Sequence, residues 1–260
     1  MGRLKLVVRL ESLRLGLREG IRKAASIGFK GFQADATRGE LSPTNLSATG
    51  RRDFLHFIKT YKIQLSSLCG EFAPGFTNVN ELDEIIEKTK SIINLAVDLK
   101  TNIVTTAIGT VPGDEKAKQW RIMSAALNEV GKYAEDYECS LATETGNEDP
   151  QLLKRFLNQL TNRGVKINYD PSKLALNCFD PIKGVYDLQE YIVQVRAKNE
   201  RRTDEGKLIE TPLDEGSVPF KDFVYALFEV GYNGFYIIER ERGTNPISFI
   251  VKAKEFLERL

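Results

Sequence analysis

Three acidic residues stand where an apolar run gives way to polar sequence: Glu144 in LATETG, Asp170 in VKINYD and Glu239 in FYIIERE. Two basic residues, Arg196 and Lys198, close a fourth such run, YIVQVRAK. Glu144 to Asp170 and Asp170 to Arg196 are each 26 positions apart, about one β/α unit. Residues recurring at that interval lie at the same end of successive strands and converge on one rim. Strand alternation turns Gln194, Arg196 and Lys198 inward together and Val193, Val195 and Ala197 toward helices. The same rule puts Ile237, Glu239 and Glu241 on one face. Taken singly, each charge could be solvated. Converging carboxylates repel, each pair by about 3 kcal/mol at ~5 Å and an effective dielectric near 20, so the cluster requires a cation. Arg196 is a permanent cation whose guanidinium donates hydrogen bonds but cannot ligate a metal, and Lys198 adds a second charge.

The elements that must position these residues alternate short β-branched runs with amphipathic stretches along the whole chain. Candidate strands are Leu4–Leu10, Gly31–Asp35, Ile63–Cys69, Asn102–Ile108, Ser140–Glu144, Val165–Asp170, Tyr191–Lys198 and Gly234–Glu239. Candidate helices include Leu15–Ile27, Asn80–Leu99, Lys116–Tyr137, Pro150–Leu160 and Phe220–Val230. In the second of these, Ile85, Ile86, Ile92, Ile93, Leu95, Ala96 and Leu99 recur at helical spacing, as a face packed on a sheet requires. Eight strands with interleaved helices predict an α/β fold, a (β/α)8 TIM barrel forming one domain over residues 1–260. An open doubly wound sheet is the alternative, but neither GxGxxG nor GxxxxGK[ST] occurs. The long connection from Asn199 to Pro219 reads either as a functional rim or as a solvated loop.

Composition narrows the partners. The formal net charge is +1, which gives no electrostatic argument for nucleic acid or an anionic membrane. Cys69, Cys139 and Cys178 are far apart and odd in number, as expected in a reducing compartment. The opening MGRLKLVVRL is broken by charges and reads as a strand rather than a signal peptide or a span. A soluble, cytoplasmic protein is therefore expected.

The runs INYDPSKLAL, YIVQVRAKN and TPLDEGSVPFKDFVYALFEVGYNGFYIIERE, with DATRGELSPTNLSATGRR and LATETGNEDP, resemble the xylose-isomerase-like superfamily of sugar phosphate isomerases and epimerases. That superfamily also contains AP endonucleases. The resemblance implies a barrel whose rim holds a divalent cation through Glu, Asp, His and Glu. Glu144, Asp170 and Glu239 match the first, second and fourth of these ligands. The third departs: relatives commonly read HVHAKD where this chain reads QVRAKN, so Arg196 stands for the ligand histidine, Gln194 for the one before it and Asn199 for the following acid. A histidine common in relatives before the glycine of TTAIG is Ala107 here, and the sole histidine, His56, lies in the helical run RRDFLHFIKTY.

The resemblance implies an isomerase or epimerase of a sugar, sugar phosphate or polyol, removing a proton next to a carbonyl. Glu144 and Glu239 would be the catalytic acid/base pair, with Asp170, Arg196 and Lys198 binding substrate and steadying the developing oxyanion. No cofactor is expected. A weakly held Mg, Mn or Zn ion on Glu144, Asp170 and Glu239, its shell completed by water, is the alternative. A second function stands beside the first: a degenerate barrel that binds a sugar-like ligand or a partner without turnover. DNA cleavage is disfavoured, because one histidine cannot build a histidine-rich multi-metal site and the charge is near neutral.

Overall fold

A computed structural model describes residues 3–72 and 75–260. In chain order the elements are β1 Lys5–Arg9, α1 Leu17–Ile27, β2 Gly31–Asp35, α2 Ala48–Thr60, β3 Gln64–Cys69, α3 Leu82–Asp98, β4 Ile103–Thr106 and α4 Lys118–Asp136. There follow β5 Ser140–Glu144, α5 Pro150–Asn158, β6 Val165–Tyr169, α6 Pro171–Leu176, α7 Lys183–Leu188 and β7 Ile192–Ala197. The chain ends with β8 Asn199–Arg202, β9 Leu208–Thr211, α8 Phe220–Glu229, β10 Phe235–Ile238 and α9 Pro246–Glu258. Strands β1 to β7 and then β10 close a parallel barrel, with β10 returning to β1. The closed barrel, not the open sheet, is the architecture.

Each expected strand appears, Gly31–Asp35 and Ser140–Glu144 with the expected bounds and the other six trimmed at their ends. The largest trim is at Asn102–Ile108, which keeps only Ile103–Thr106 because the chain then leaves the sheet and the Ile108 carbonyl accepts from the Phe76 amide at 3.2 Å. The first helix starts at Leu17 rather than Leu15 because Gly16, extended at φ −61° and ψ 157°, is its N-cap. Three helices open on one device, an Asx residue followed by proline. Asp149, Asp170 and Asn245 each accept a backbone N–H from the first turn, and Pro150, Pro171 and Pro246 occupy N1, where no N–H is needed. Asp170, expected as the last residue of its strand, is thus the cap of a helix absent from the sequence reading.

The apolar core lies in the shell between strands and helices. There Phe32 meets Phe54 and Trp120 meets Phe156 edge to face, and α3 buries Ile85, Ile86, Ile92, Ile93, Leu95 and Ala96. β6 and α4 approach so closely that a Cβ on Gly164 would come within 2.0 Å of the Gly131 carbonyl. The barrel axis is polar instead. Gln33 Nε2 donates to Ser67 Oγ at 3.1 Å and Thr105 Oγ1 at 3.2 Å, and Gln194 Nε2 donates to Asn168 Oδ1 at 3.2 Å. Among the described residues no helix is long and apolar enough to cross a membrane.

The long connection after β7 is not a bare loop but an antiparallel hairpin, β8 on β9, pairing Asn199 with Thr211 and Arg202 with Leu208. Asn199 ties it down. Its Nδ2 donates to the carbonyls of Leu213 (2.8 Å) and Val218 (2.9 Å), and its Oδ1 accepts from the amides of Val218 (3.1 Å) and Glu200 (3.0 Å). Asn199→Ala strands these buried groups, and Asn199→Asp loses both donations. Each should cost ~2–4 kcal/mol in urea unfolding and open the turn around residues 203–206 to limited proteolysis. Unchanged stability in both variants would refute this role.

Candidate functional site

Inward alternation on β7 puts Gln194 and Arg196 on the barrel axis, and the Cα register sets Arg196 beside Ile237 and Gln194 beside Asn168. Arg196 therefore reaches the carboxyl-terminal mouth, where the chain returns acids just past β3, at the end of β5, after β6 and after β10. Its Nη1 donates to Glu239 Oε2 at 2.5 Å, and its Nη2 donates to Glu71 Oε1 at 3.1 Å and to Glu144 Oε1. Lys198 Nζ lies 3.4 Å from Glu239 Oε1, 3.6 Å from Glu200 Oε2 and 3.9 Å from Asp170 Oδ2. Arg9 Nη1 adds a contact to Glu239 Oε2 at 3.2 Å. Lys173, in the first turn of α6, donates to Glu144 Oε2 at 3.2 Å.

All five residues singled out from the sequence, Glu144, Asp170, Arg196, Lys198 and Glu239, thus meet in one ion-pair cluster. Their accessibility differs sharply. Glu239 and Arg196 side chains are 0% and 4% exposed, and Glu144 is 12% exposed, whereas Glu71 and Lys173 show 33% and 36%. The mouth has a buried base of Glu239, Arg196 and Asp170 and an accessible face of Glu71 and Lys173, with Glu144 and Lys198 between them. Sequence reasoning missed Glu71, Lys173 and Arg9. Arg9 was within reach, since it continues the inward alternation of Val7 on β1. Lys173 follows Asp170 by one helical step that only the helix start reveals. Glu71 lies beyond the strand end, after Gly70, where alternation no longer applies. His56 is exposed on α2, outside the cluster's ion pairs.

The electrostatics separates the carboxylates. Burial alone would raise Glu239, but Arg196, Lys198 and Arg9 outweigh it and hold its carboxyl well below the usual range. Glu144 follows the same balance: burial raises it, Arg196 and Lys173 lower it further, and it ends below its ordinary value. At Asp170 burial prevails over Lys198 and Arg196, and the pKa rises. Glu71 moves most usefully. Burial and then the neighbouring Glu144 charge push it up to about 7, against the pull of Arg196. Outside the cluster, burial also lifts Glu148 to about 7, where its Oε2 accepts from the Val111 amide at 3.2 Å.

The divalent cation implied by the resemblance does not fit this donor set. The Glu144 and Glu239 oxygens that would face it receive guanidinium N–H groups, Asp170 Oδ1 accepts the Lys173 amide at 3.0 Å, and its Oδ2 faces Lys198. Among the described residues no group of three or more His, Cys, Asp or Glu is disposed to hold a metal ion.

A family model described as xylose isomerase-like TIM barrel matches residues 21–260. No curated protein sequence matches the chain. Solved structures share its fold at low identity. A xylose isomerase domain protein from Planctomyces limnophilus has 19% identity and a TM-score of 0.83, with 99% of this chain and 96% of that one covered. A D-tagatose 3-epimerase-like protein has 21% identity and a TM-score of 0.79, covering 98% and 96%. A xylose isomerase-like TIM barrel protein from Mycobacterium smegmatis, in complex with magnesium, has 16% identity and a TM-score of 0.77, covering 99% and 95%.

Arg196→Ala leaves buried carboxylates without their shared counter-ion and should cost about 3–5 kcal/mol at neutral pH, read by urea unfolding. Glu71 carries the opposite sign. Its folded pKa lies above the unfolded value of about 4.3, so no cost arises below that value and the folded state is progressively penalised as pH rises through about 7. Glu71→Gln should therefore raise the melting temperature more at pH 8.5 than at pH 5, and an equal effect at both would show that Glu71 titrates normally.

Proposed function

The chain belongs to the xylose isomerase-like TIM barrel family, and we propose that it moves a proton beside the carbonyl of a small sugar, as an isomerase or epimerase. One observation carries this: two carboxyl groups at the mouth, Glu71 and Glu144, share one Arg196 nitrogen, and their surroundings pull them apart in proton affinity, one upward and the other downward. Environments that separate a carboxyl pair in this way suit one member as acid and the other as base at neutral pH. The D-tagatose 3-epimerase-like neighbour makes a ketose the natural substrate class to test first.

Glu144, ionised, takes the proton from the carbon next to the carbonyl. The electron pair of that C–H bond becomes the carbon–carbon double bond, and charge collects on the carbonyl oxygen. Lys173, with its ammonium 3.2 Å from Glu144 Oε2 and one third exposed, meets that oxygen. Glu71, protonated, returns a proton to carbon, and exchange with solvent then removes the proton from Glu144 and restores that of Glu71. Glu239, first expected as the partner of Glu144, has no exposed side-chain surface and serves as counter-ion to Arg196. Asp170, Arg196 and Lys198 are positioning residues that fix Glu144 and the start of α6, rather than direct substrate ligands. A second reading, a binding barrel without turnover, is favoured by one fact: Arg196 already occupies oxygens of both Glu144 and Glu239.

Solvent exchange discriminates the two. The protein is incubated in D2O with EDTA and D-tagatose, D-fructose or D-psicose, and deuterium at the carbon beside the carbonyl is followed by NMR. At least one ketose should exchange. Glu144→Gln should slow it by roughly 10²–10⁴-fold with the fold intact. Wild-type exchange should decline as pH rises through about 7, because Glu71 must carry its proton, and Glu71→Gln, with no proton to return, should slow exchange at every pH and show no decline there. Absence of exchange on all three sugars selects the binding barrel.

A further inference from the structure

We infer that this barrel has dispensed with the divalent cation of its resemblance: Arg196 supplies the cation's charge, and a single substitution there turns the mouth into a metal site. The inference builds on the proposed proton transfer for the location of the site but not for what is turned over. It starts from a geometric coincidence. The residue standing for the missing histidine donates to three mouth carboxylates, Glu71, Glu144 and Glu239. A bound ion draws converging carboxylates onto one point. Arg196 does the same with a planar fork, one nitrogen serving Glu239 and the other shared by Glu71 and Glu144.

Charge pairing makes the replacement more than a vacancy filled. The carboxylates of Glu71, Glu144, Asp170 and Glu239 already meet the cations Arg9, Lys173, Arg196 and Lys198, which also reach Glu11, Glu200 and Glu241. A divalent cation would have to dislodge a guanidinium that is 4% exposed. The arginine therefore excludes the metal as well as substituting for it. The Nε atom is not used: Arg196 Nε is buried without a hydrogen-bond partner among the described residues, as are Asn168 Nδ2 on the adjacent strand and Gln194 Oε1 two residues earlier on its own. An arginine selected only for packing in this layer would have no reason to leave that donor unmet. One placed for its two Nη atoms would.

Removing Arg196 in favour of an imidazole takes away one positive charge, frees the oxygens of Glu144 and Glu239 and adds a nitrogen ligand from the same strand position. Mn²⁺ and Zn²⁺, in turn, are titrated by calorimetry into the full-length chain after EDTA treatment and dialysis, with melting temperature as a second readout. The wild type should take up neither ion and show no shift. Arg196→His should bind at least one of them about tenfold tighter or more, with a metal-dependent rise in melting temperature. Arg196→Lys, which keeps the charge, should bind neither, and it carries the test if the histidine variant fails to fold. Stoichiometric uptake by the wild type or by Arg196→Lys overturns the inference, as does a folded Arg196→His that binds no better than wild type. Metal uptake by a wild type whose ketose exchange still proceeds in EDTA sinks only this inference. Absence of exchange together with absence of uptake sinks only the proposed activity.

Discussion

A guanidinium shut away from water is tolerable only when opposite charges surround it. Arg196 meets that condition through its two Nη atoms, because three strand ends and one turn deliver carboxylates at once: Glu239 after β10, Glu144 on β5, Glu71 past β3 and, through Lys198, Asp170 after β6. No local segment could assemble this set. It exists only when the barrel is closed with β7 between β6 and β10. The ion cluster thus depends on the whole fold, and the depressed pKa values of Glu144 and Glu239 are local signs of that dependence.

The secondary contacts follow from the same constraint. Glu200, at the start of the hairpin, approaches Lys198 at 3.6 Å and accepts from Ser172 at 3.3 Å, so the hairpin after β7 and the short helix after β6 are joined through the cluster. Asp170 works twice, capping α6 through one oxygen and facing Lys198 with the other. By capping that helix it also sets the position of Lys173, whose ammonium reaches Glu144. Charge placement at the mouth and chain direction just outside it are therefore set by the same atoms.

The fold was legible because barrel strands carry two independent signals, apolar runs for the shell and, in four of them, charged residues where the run ends. The spacing of Glu144, Asp170 and Arg196 encoded their shared rim, since one β/α unit always returns the chain to the same end. Alternation within YIVQVRAK correctly turned Gln194 and Arg196 inward. Elements held by capping and tertiary contact were harder to see. The hairpin of β8 and β9 is polar and short, and it is held by one asparagine side chain; α6 has six residues and too few positions for periodicity to register. At the site, burial was the hidden variable. Type and spacing give Glu144 and Glu239 equal standing, and only the stacking of Arg196, Lys198 and Arg9 over Glu239 separates a reachable carboxylate from an enclosed one.

The polar lining of the axis, from Gln33, Ser67 and Thr105 to Asn168 and Gln194, divides the molecule into two compartments with different tolerances. Cohesion resides in the annulus of aromatic and branched side chains outside the strands, where the loss of a methylene is felt. The lining contributes hydrogen bonds between small amides and hydroxyls, which exchange for one another at little cost in volume. A lineage could therefore rewrite the inward-facing positions, trading imidazole for guanidinium or one amide for another, while the annulus kept the architecture intact. Low sequence identity alongside near-complete structural superposition is what such a partition leaves behind.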